Sequence, residues 1–117
     1  MDFQEIKTQD YTIQYNPESV TFTFQGELSL GGPAEYEPIA KLLEDVANQQ
    51  PPSITLNLKK LAFLNSSGIS LLSKFAIGVR KRKTIKVLIQ GSSDIPWQEK
   101  SLANLEKLLP SLKLELH

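Results

Sequence analysis

Side chains able to do chemistry are few in this chain, and their densest cluster is Asn65-Ser66-Ser67-Gly68. Two adjacent hydroxyls follow a short amide side chain and precede a glycine. Directly beyond them runs an apolar stripe at helical spacing: Ile69, Leu72, Phe75, Ala76 and Val79. In that place Asn65 or Ser66 can cap the helix by accepting a bond from one of its unsatisfied amides. Gly68 lets backbone or a partner approach closely. A phosphate on either serine would lie beside free amides and the positive end of the helix dipole. Ser-rich helix caps are also common structural devices, so the spacing alone leaves both readings open.

Other candidates are weaker. Glu27 near Ser29 places a base beside a nucleophile, but within the glycine-rich stretch Gly26–Gly32 such residues read as turn formers. Gly31-Gly32 lacks the Lys-Ser/Thr that completes a nucleotide phosphate loop. Ser92, Ser93 and Asp94 form a further polar loop after an apolar strand. The one histidine, His117, has no Cys or second His to share a metal with, and the absence of cysteine removes disulfides, thiolate metal sites and catalytic thiols. No catalytic cluster assembles, and neither metal nor cofactor is expected. Arg80 to Lys83 form a basic run, yet 13 basic and 13 acidic residues give a formal charge of zero. That balance argues against nucleic acid as a partner, and the run reads as a solvated helix end whose charge suits the dipole. Trp97 reads as the residue that packs the last helix onto the sheet.

The elements that must position these residues follow from periodicity. Tyr11–Tyr15 and Val20–Gln25 alternate in period two around the turn cluster Asn16–Ser19, predicting an antiparallel hairpin. Pro33 opens an amphipathic helix with Tyr36, Ile39, Ala40, Leu43, Val46 and Ala47 inward, and Gln49–Pro52 stops it. Ile54–Leu58 is a strand, Lys59–Leu64 a connection to Asn65, and a helix runs from Ser66 to the basic run. Ile85–Ile89 reads as a strand covered on both faces. Trp97–Leu109 reads as a helix with Leu102, Leu105 and Leu109 inward, ended by Pro110; Leu112–Leu116 reads as a last strand.

The expected architecture is a small single α/β domain over residues 11–117, a mixed, mostly parallel sheet of about five strands with about three helices. Residues 1–10 are expected to be an N-terminal extension of little order. At 117 residues and 40% hydrophobic content the chain has room for one core. No apolar run approaches the roughly 20 residues of a membrane span, and Met1–Asp10 lacks the layout of a signal peptide, so a cytoplasmic domain is expected. In a parallel sheet, loops leaving the C-terminal strand ends converge at one rim, which gathers Gly26–Gly32, Ala62–Gly68 and Gly91–Ile95.

The run Ile54-Thr55-Leu56-Asn57-Leu58, then Leu61-Ala62-Phe63-Leu64-Asn65-Ser66-Ser67-Gly68-Ile69-Ser70-Leu71-Leu72, resembles the STAS domain of bacterial anti-sigma factor antagonists and stressosome subunits. The signature there is a strand, a short apolar stretch, Asp-Ser-Ser/Thr-Gly and an apolar helix; Gly26-Glu27-Leu28 also resembles the family's Gly-Glu-Leu. In element order the resemblance covers about residues 10–117, and the specific motif covers Leu56–Leu72. It implies a non-enzymatic regulatory module that works by partner switching. An anti-sigma factor serine kinase would phosphorylate Ser66 (with Ser67 next), and a PP2C-type phosphatase would reset it. The implied partner surface comprises Asn65, Ser66, Ser67, Gly68, Gly26, Glu27, Ser29, Ser92, Ser93 and Asp94. A phosphate adds nearly two negative charges to a close-packed surface, so repulsion and desolvation can break a complex. Asn65 stands where the family usually has Asp. An amide caps as well, but the missing carboxylate bears on how a kinase would address Ser66. The alternative is an unphosphorylated STAS scaffold or assembly subunit, of the stressosome, transporter or lipid-trafficking kind, with association of identical copies.

Overall fold

Alternation decides the first strands. Ile13 and Tyr15 are buried while Thr12 and Gln14, which alternate with them, are half-exposed, and Phe22 and Phe24 repeat the pattern. The rings of Tyr15 and Phe22 meet with centroids 4.7 Å apart. The computed structural model describes residues 2–117. Its elements are β1 (Gln4–Lys7), β2 (Tyr11–Asn16), β3 (Thr21–Leu28), α1 (Pro33–Asn48), β4 (Ser53–Leu64), α2 (Ser66–Arg82), β5 (Lys86–Gly91), α3 (Pro96–Leu108) and β6 (Lys113–Leu116).

The strands form one sheet in chain order, β1 to β6. β1, β2 and β3 pair antiparallel, and β3 to β6 pair parallel. Each parallel step moves one strand over in the same direction, so right-handed crossovers place all three helices on one face. Between that face and the helices lies the core, with Phe22, Ile54, Leu58 and Val46 fully enclosed. The opposite face is polar: Glu5, Gln14, Thr23, Asn57, Gln90 and Glu115 lie in one register row across the six strands. This corrects the expectation that the Ile85–Ile89 strand is covered on both faces. Val87 and Ile89 are buried under the helices, whereas Leu88 and Gln90 point to the open side and are half-exposed.

Two further differences concern strands. The sheet has six strands rather than five, because Gln4–Lys7 pairs with β2. As an edge strand with Ile6 as its one half-buried residue, it shows no apolar alternation. Thr8 shapes the turn after it, its Oγ1 accepting from the amides of Asp10 and Tyr11 at 3.2 and 3.1 Å. The Lys59–Leu64 connection is likewise strand. From Thr23 to Gln25 on β3 its partner β4 advances from Asn57 to Lys60, and from Gly26 to Glu27 it advances from Leu61 to Phe63. Each step puts one extra residue into β4, and such bulges reset which side chains face the core. Leu58, Leu61 and Leu64 therefore all turn inward at a spacing of three, while Ala62 and Phe63 are exposed.

Gly26 sits in the same bulged region with φ of 93°. A Cβ there would overlap the Asp10 carbonyl oxygen, which accepts from the Glu27 amide at 2.9 Å. Gly26→Ala is expected to cost about 1–3 kcal/mol through this strained backbone. Urea unfolding should show a lower midpoint at an unchanged slope.

Candidate functional site

Asn65 is the N-cap of α2, with extended backbone at φ −80° and ψ 176°. Its Oδ1 accepts from the Gly68 amide at 3.0 Å and from the Tyr36 hydroxyl at 2.6 Å. Those two donors oblige the other end of the carboxamide to be Nδ2, which donates to the Leu30 carbonyl at 2.7 Å. The Asn65 amide donates to the Leu28 carbonyl at 3.2 Å. One residue thus ties the ends of β3 and β4, the loop before α1, α1 itself and the first turn of α2. An aspartate could not do the same, since its second oxygen would face the Leu30 carbonyl with no proton between them. The departure from the Asp of the resembled motif therefore has a structural partner in Leu30.

Tyr36 is 1% exposed, and burial pushes its hydroxyl above the ordinary value of 10.0. It remains a neutral donor throughout the range in which proteins work. Gly68 is required by the same packing: a Cβ would collide with the Leu64 side chain and lie 2.8 Å from the Tyr36 hydroxyl. On the other side of the corner, Gly31 donates its amide to the Glu35 carboxylate, which reaches back over the start of α1.

The serines are treated differently from their neighbour. Ser66 is exposed and Ser67 half-exposed. Among the described residues, neither hydroxyl makes a hydrogen bond, and the amides of Ser66 and Ser67 are also left without one. The corner is rigid behind Ser66 and free at Ser66. Gly26, Glu27 and Ser29 lie beside it, because Glu27 pairs with Phe63 and Leu28 with Leu64. Phe63, 45% exposed, puts a bare aromatic ring next to this corner. From the sequence Lys59–Leu64 reads as a connection, which hides Phe63 two residues before the cap.

Ser92, Ser93 and Asp94 are placed elsewhere on the rim. β4 pairs with β5 only as far as Asn57 opposite Gln90, then runs on along β3 through Leu64. The loop after β5 is left behind by that overrun. Its bonds go to the chain end and to α3. Ser93 donates through its amide and Oγ to the His117 carbonyl at 3.0 and 3.1 Å, and the Ser92 amide donates to Gln98 Oε1 at 2.7 Å. Among the described residues no hydrogen bond connects this loop to Asn65–Gly68. Gln98, a second residue the sequence reading missed, is fully buried. Its Nε2 donates to the carbonyls of Leu58 and Leu61, at 2.6 and 3.1 Å, and Trp97 Nε1 donates to Leu61 at 3.1 Å. Both carbonyls lie past Asn57, where β4 has outrun its pairing with β5. The signal was present: Gln98, Leu102 and Leu105 stand at i, i+4 and i+7 on the inward stripe of α3.

Among the described residues no three His, Asp or Glu side chains gather where a metal could sit, and no helix is long and apolar enough to cross a membrane. What the corner offers is an exposed hydroxyl, free amides and an aromatic ring on a rigid frame.

A six-stranded mixed sheet backed on one face by three helices is a STAS-like fold, the fold of an anti-sigma factor antagonist. SiaC of Pseudomonas aeruginosa matches it with a TM-score of 0.73 at 13% identity, over 100% of both chains. SiaC in complex with the diguanylate cyclase SiaD, of which it is the activator, matches at 0.71 and 15% identity, over 97% of this chain and 99% of that one. An anti-sigma factor antagonist from Mycobacterium paratuberculosis matches at 0.60 and 16% identity, over 96% of this chain and 84% of the other. No family model matches the sequence, and no curated protein matches it by sequence. The likeness is one of fold.

Two substitutions test the cap. Asn65→Asp replaces a donor with an oxygen facing the Leu30 carbonyl and is expected to cost about 1–3 kcal/mol at neutral pH. Tyr36→Phe, read by urea unfolding, should cost about 1 kcal/mol for the lost hydroxyl bond. The folded state favours the neutral phenol, so its contribution to stability is full below the ordinary value of 10.0 and is lost as pH rises through the raised value. Tyr15, also raised by burial, behaves in the same sense. Tyr36→Phe should therefore flatten the alkaline fall in stability without abolishing it.

Proposed function

We propose that this protein is a non-enzymatic docking module that switches protein partners, with phosphorylation of the Ser66 hydroxyl as the switch. The observation that carries this reading is the contrast at the corner. Asn65 is held on every polar atom, while Ser66 beside it is exposed and unbonded. A modifying enzyme would meet a hydroxyl that need not be pulled from any partner. The product phosphate would stand at the start of α2, beside amides with no other acceptor. Phe63 supplies the apolar anchor that a protein partner would cover, as aromatic residues do at interface centres.

The fold shared with SiaC, an activator of a diguanylate cyclase, and with an anti-sigma factor antagonist supports a regulatory rather than catalytic role. The modifying enzymes of this reading are a serine kinase, itself a docking partner, and a PP2C-type phosphatase, acting in the cytoplasm. Asn65 keeps the cap and withholds a carboxylate, so the kinase must supply its own base to the Ser66 hydroxyl.

Incubation with the cognate kinase and ATP should place one phosphate on Ser66, located by mass spectrometry. Ser66→Ala should abolish labelling and keep partner binding. Ser66→Asp should weaken that binding by about tenfold or more, read by calorimetry. Labelling that persists in Ser66→Ala, or equal binding by both variants, overturns the proposal.

A further inference from the structure

Packing leaves α1 and α2 incompletely closed against each other. A groove of about 310 Å³ runs between them, walled by Ala40, Leu43 and Ala47 on one side and by Leu71, Phe75 and Gly78 on the other. A second recess of about 190 Å³ continues it to Ser67 and Ser70, sharing Ala40, Leu71 and Lys74 as walls. From Ser67 to Arg82 the depression follows α2 for about 22 Å, roughly four helical turns.

Two features give the groove a chemistry. The first is its floor. Gly78 lies inside α2, where glycine is disfavoured relative to alanine, yet a Cβ there would meet nothing within 4 Å. No close neighbour requires the glycine, and its effect is to keep the floor low. The second is its rim. Glu37 and Glu44 line the α1 side, and Lys74 and Arg82 line the α2 side. Among the described residues the ion pairs are Lys41–Asp45, Lys113–Glu115 and His117–Glu115, so none crosses the groove. Arg82 instead donates to the neutral Asn48 side chain at 2.6 Å. An acidic wall and a basic wall thus stand over an apolar floor without neutralising each other.

We propose that this groove receives an amphipathic helix of a protein partner. Its apolar stripe would lie on Leu71, Phe75 and Gly78, its basic edge over Glu37 and Glu44, and its acidic edge over Lys74 and Arg82. A third helix laid between two others is ordinary ridge-and-groove packing, read by apolar anchors at i, i+3 or i+4, and i+7. A second copy of this chain does not fit the requirement. Of its exposed large apolar residues, Phe3, Phe63, Ile77 and Leu116, Ile77 alone lies on a helix, so no helix presents an apolar stripe. The inference rests on the reading of the chain as a docking module, and the groove opens at Ser67, one residue from the proposed switch.

The test uses the full chain and a synthetic amphipathic peptide of about 18 residues. It carries a leucine stripe flanked by lysines on one edge and glutamates on the other; companion peptides carry lysine, or glutamate, on both edges. The mixed peptide is expected to move the amide resonances of Ala40, Ala47 and Gly78. It should bind about fivefold tighter than either companion, read by fluorescence anisotropy. Gly78→Leu fills the floor and adds helix propensity, so it should weaken peptide binding about tenfold while the melting temperature holds or rises.

Shifts that are absent or fall elsewhere, equal affinity for all three peptides, or unchanged binding by Gly78→Leu overturn the proposal. So do groove shifts that grow with protein concentration alone, which assign the groove to a second copy. Ser66→Asp separates this idea from the switch. Failure of the peptide with partner binding still sensitive to Ser66→Asp removes the groove alone; the converse removes the switch alone.

Discussion

The carboxamide of Asn65 has two unlike ends, and the corner depends on each meeting the one kind of group it can satisfy. Its oxygen takes the Gly68 amide and the Tyr36 hydroxyl, and its nitrogen gives to the Leu30 carbonyl. Each bond is worth about 1 kcal/mol net, but a partner left buried and unpaired costs about 1–3 kcal/mol. The loop after β3, the first turn of α1 and the first turn of α2 therefore stand or move together. Gly68 and Tyr36 then follow as consequences. The first must lack a side chain and the second must be buried and neutral, or the carboxamide loses its fit.

That corner is carried outward by β4, whose extra residues let it overrun β5. The overrun has a cost in unpaired carbonyls, and buried carbonyls need donors. Gln98 and Trp97 supply them at Leu58 and Leu61, so α3 is fastened to the stretch of β4 that runs past β5. The same overrun separates the Ser92–Asp94 loop from the Ser66 corner. A rim drawn from parallel strand ends alone treats them as neighbours.

Period and punctuation in the sequence carried most of the fold. Pro33, the Gln49–Pro52 stop and the basic run from Arg80 marked helix ends where the structure has them, and Asn65 reads as a cap because short polar side chains do that work. What stayed illegible has local causes. Gln4–Lys7 is an edge strand that adds one half-buried side chain, Ile6, and one side-chain bond, from Gln14 to Glu5, to its backbone pairing, so it shows no apolar alternation. Leu58, Leu61 and Leu64 break period two because bulges reset it, hiding both the strand and the exposed ring of Phe63. One-sided coverage of β5 is a property of the crossovers, which no window of residues contains. The second role of Asn65, toward Leu30, spans 35 positions and appears only once the chain is folded.

A charge placed at Ser66 would act on docking and leave the frame intact, and the reason lies in where strength and freedom are divided. At the start of a helix a negative charge is favourable by about 0.3–1 kcal/mol, and the Ser66 and Ser67 amides have no competing acceptor within the described residues. The cap beneath does not involve either hydroxyl, so modification breaks none of its bonds. A partner covering Phe63 would have to desolvate the same charge, which costs several kcal/mol unless a cation meets it. The two effects have opposite sign and unequal size. One modification would thus leave folding stability nearly unchanged while shifting partner affinity by orders of magnitude, the asymmetry that a reversible switch requires.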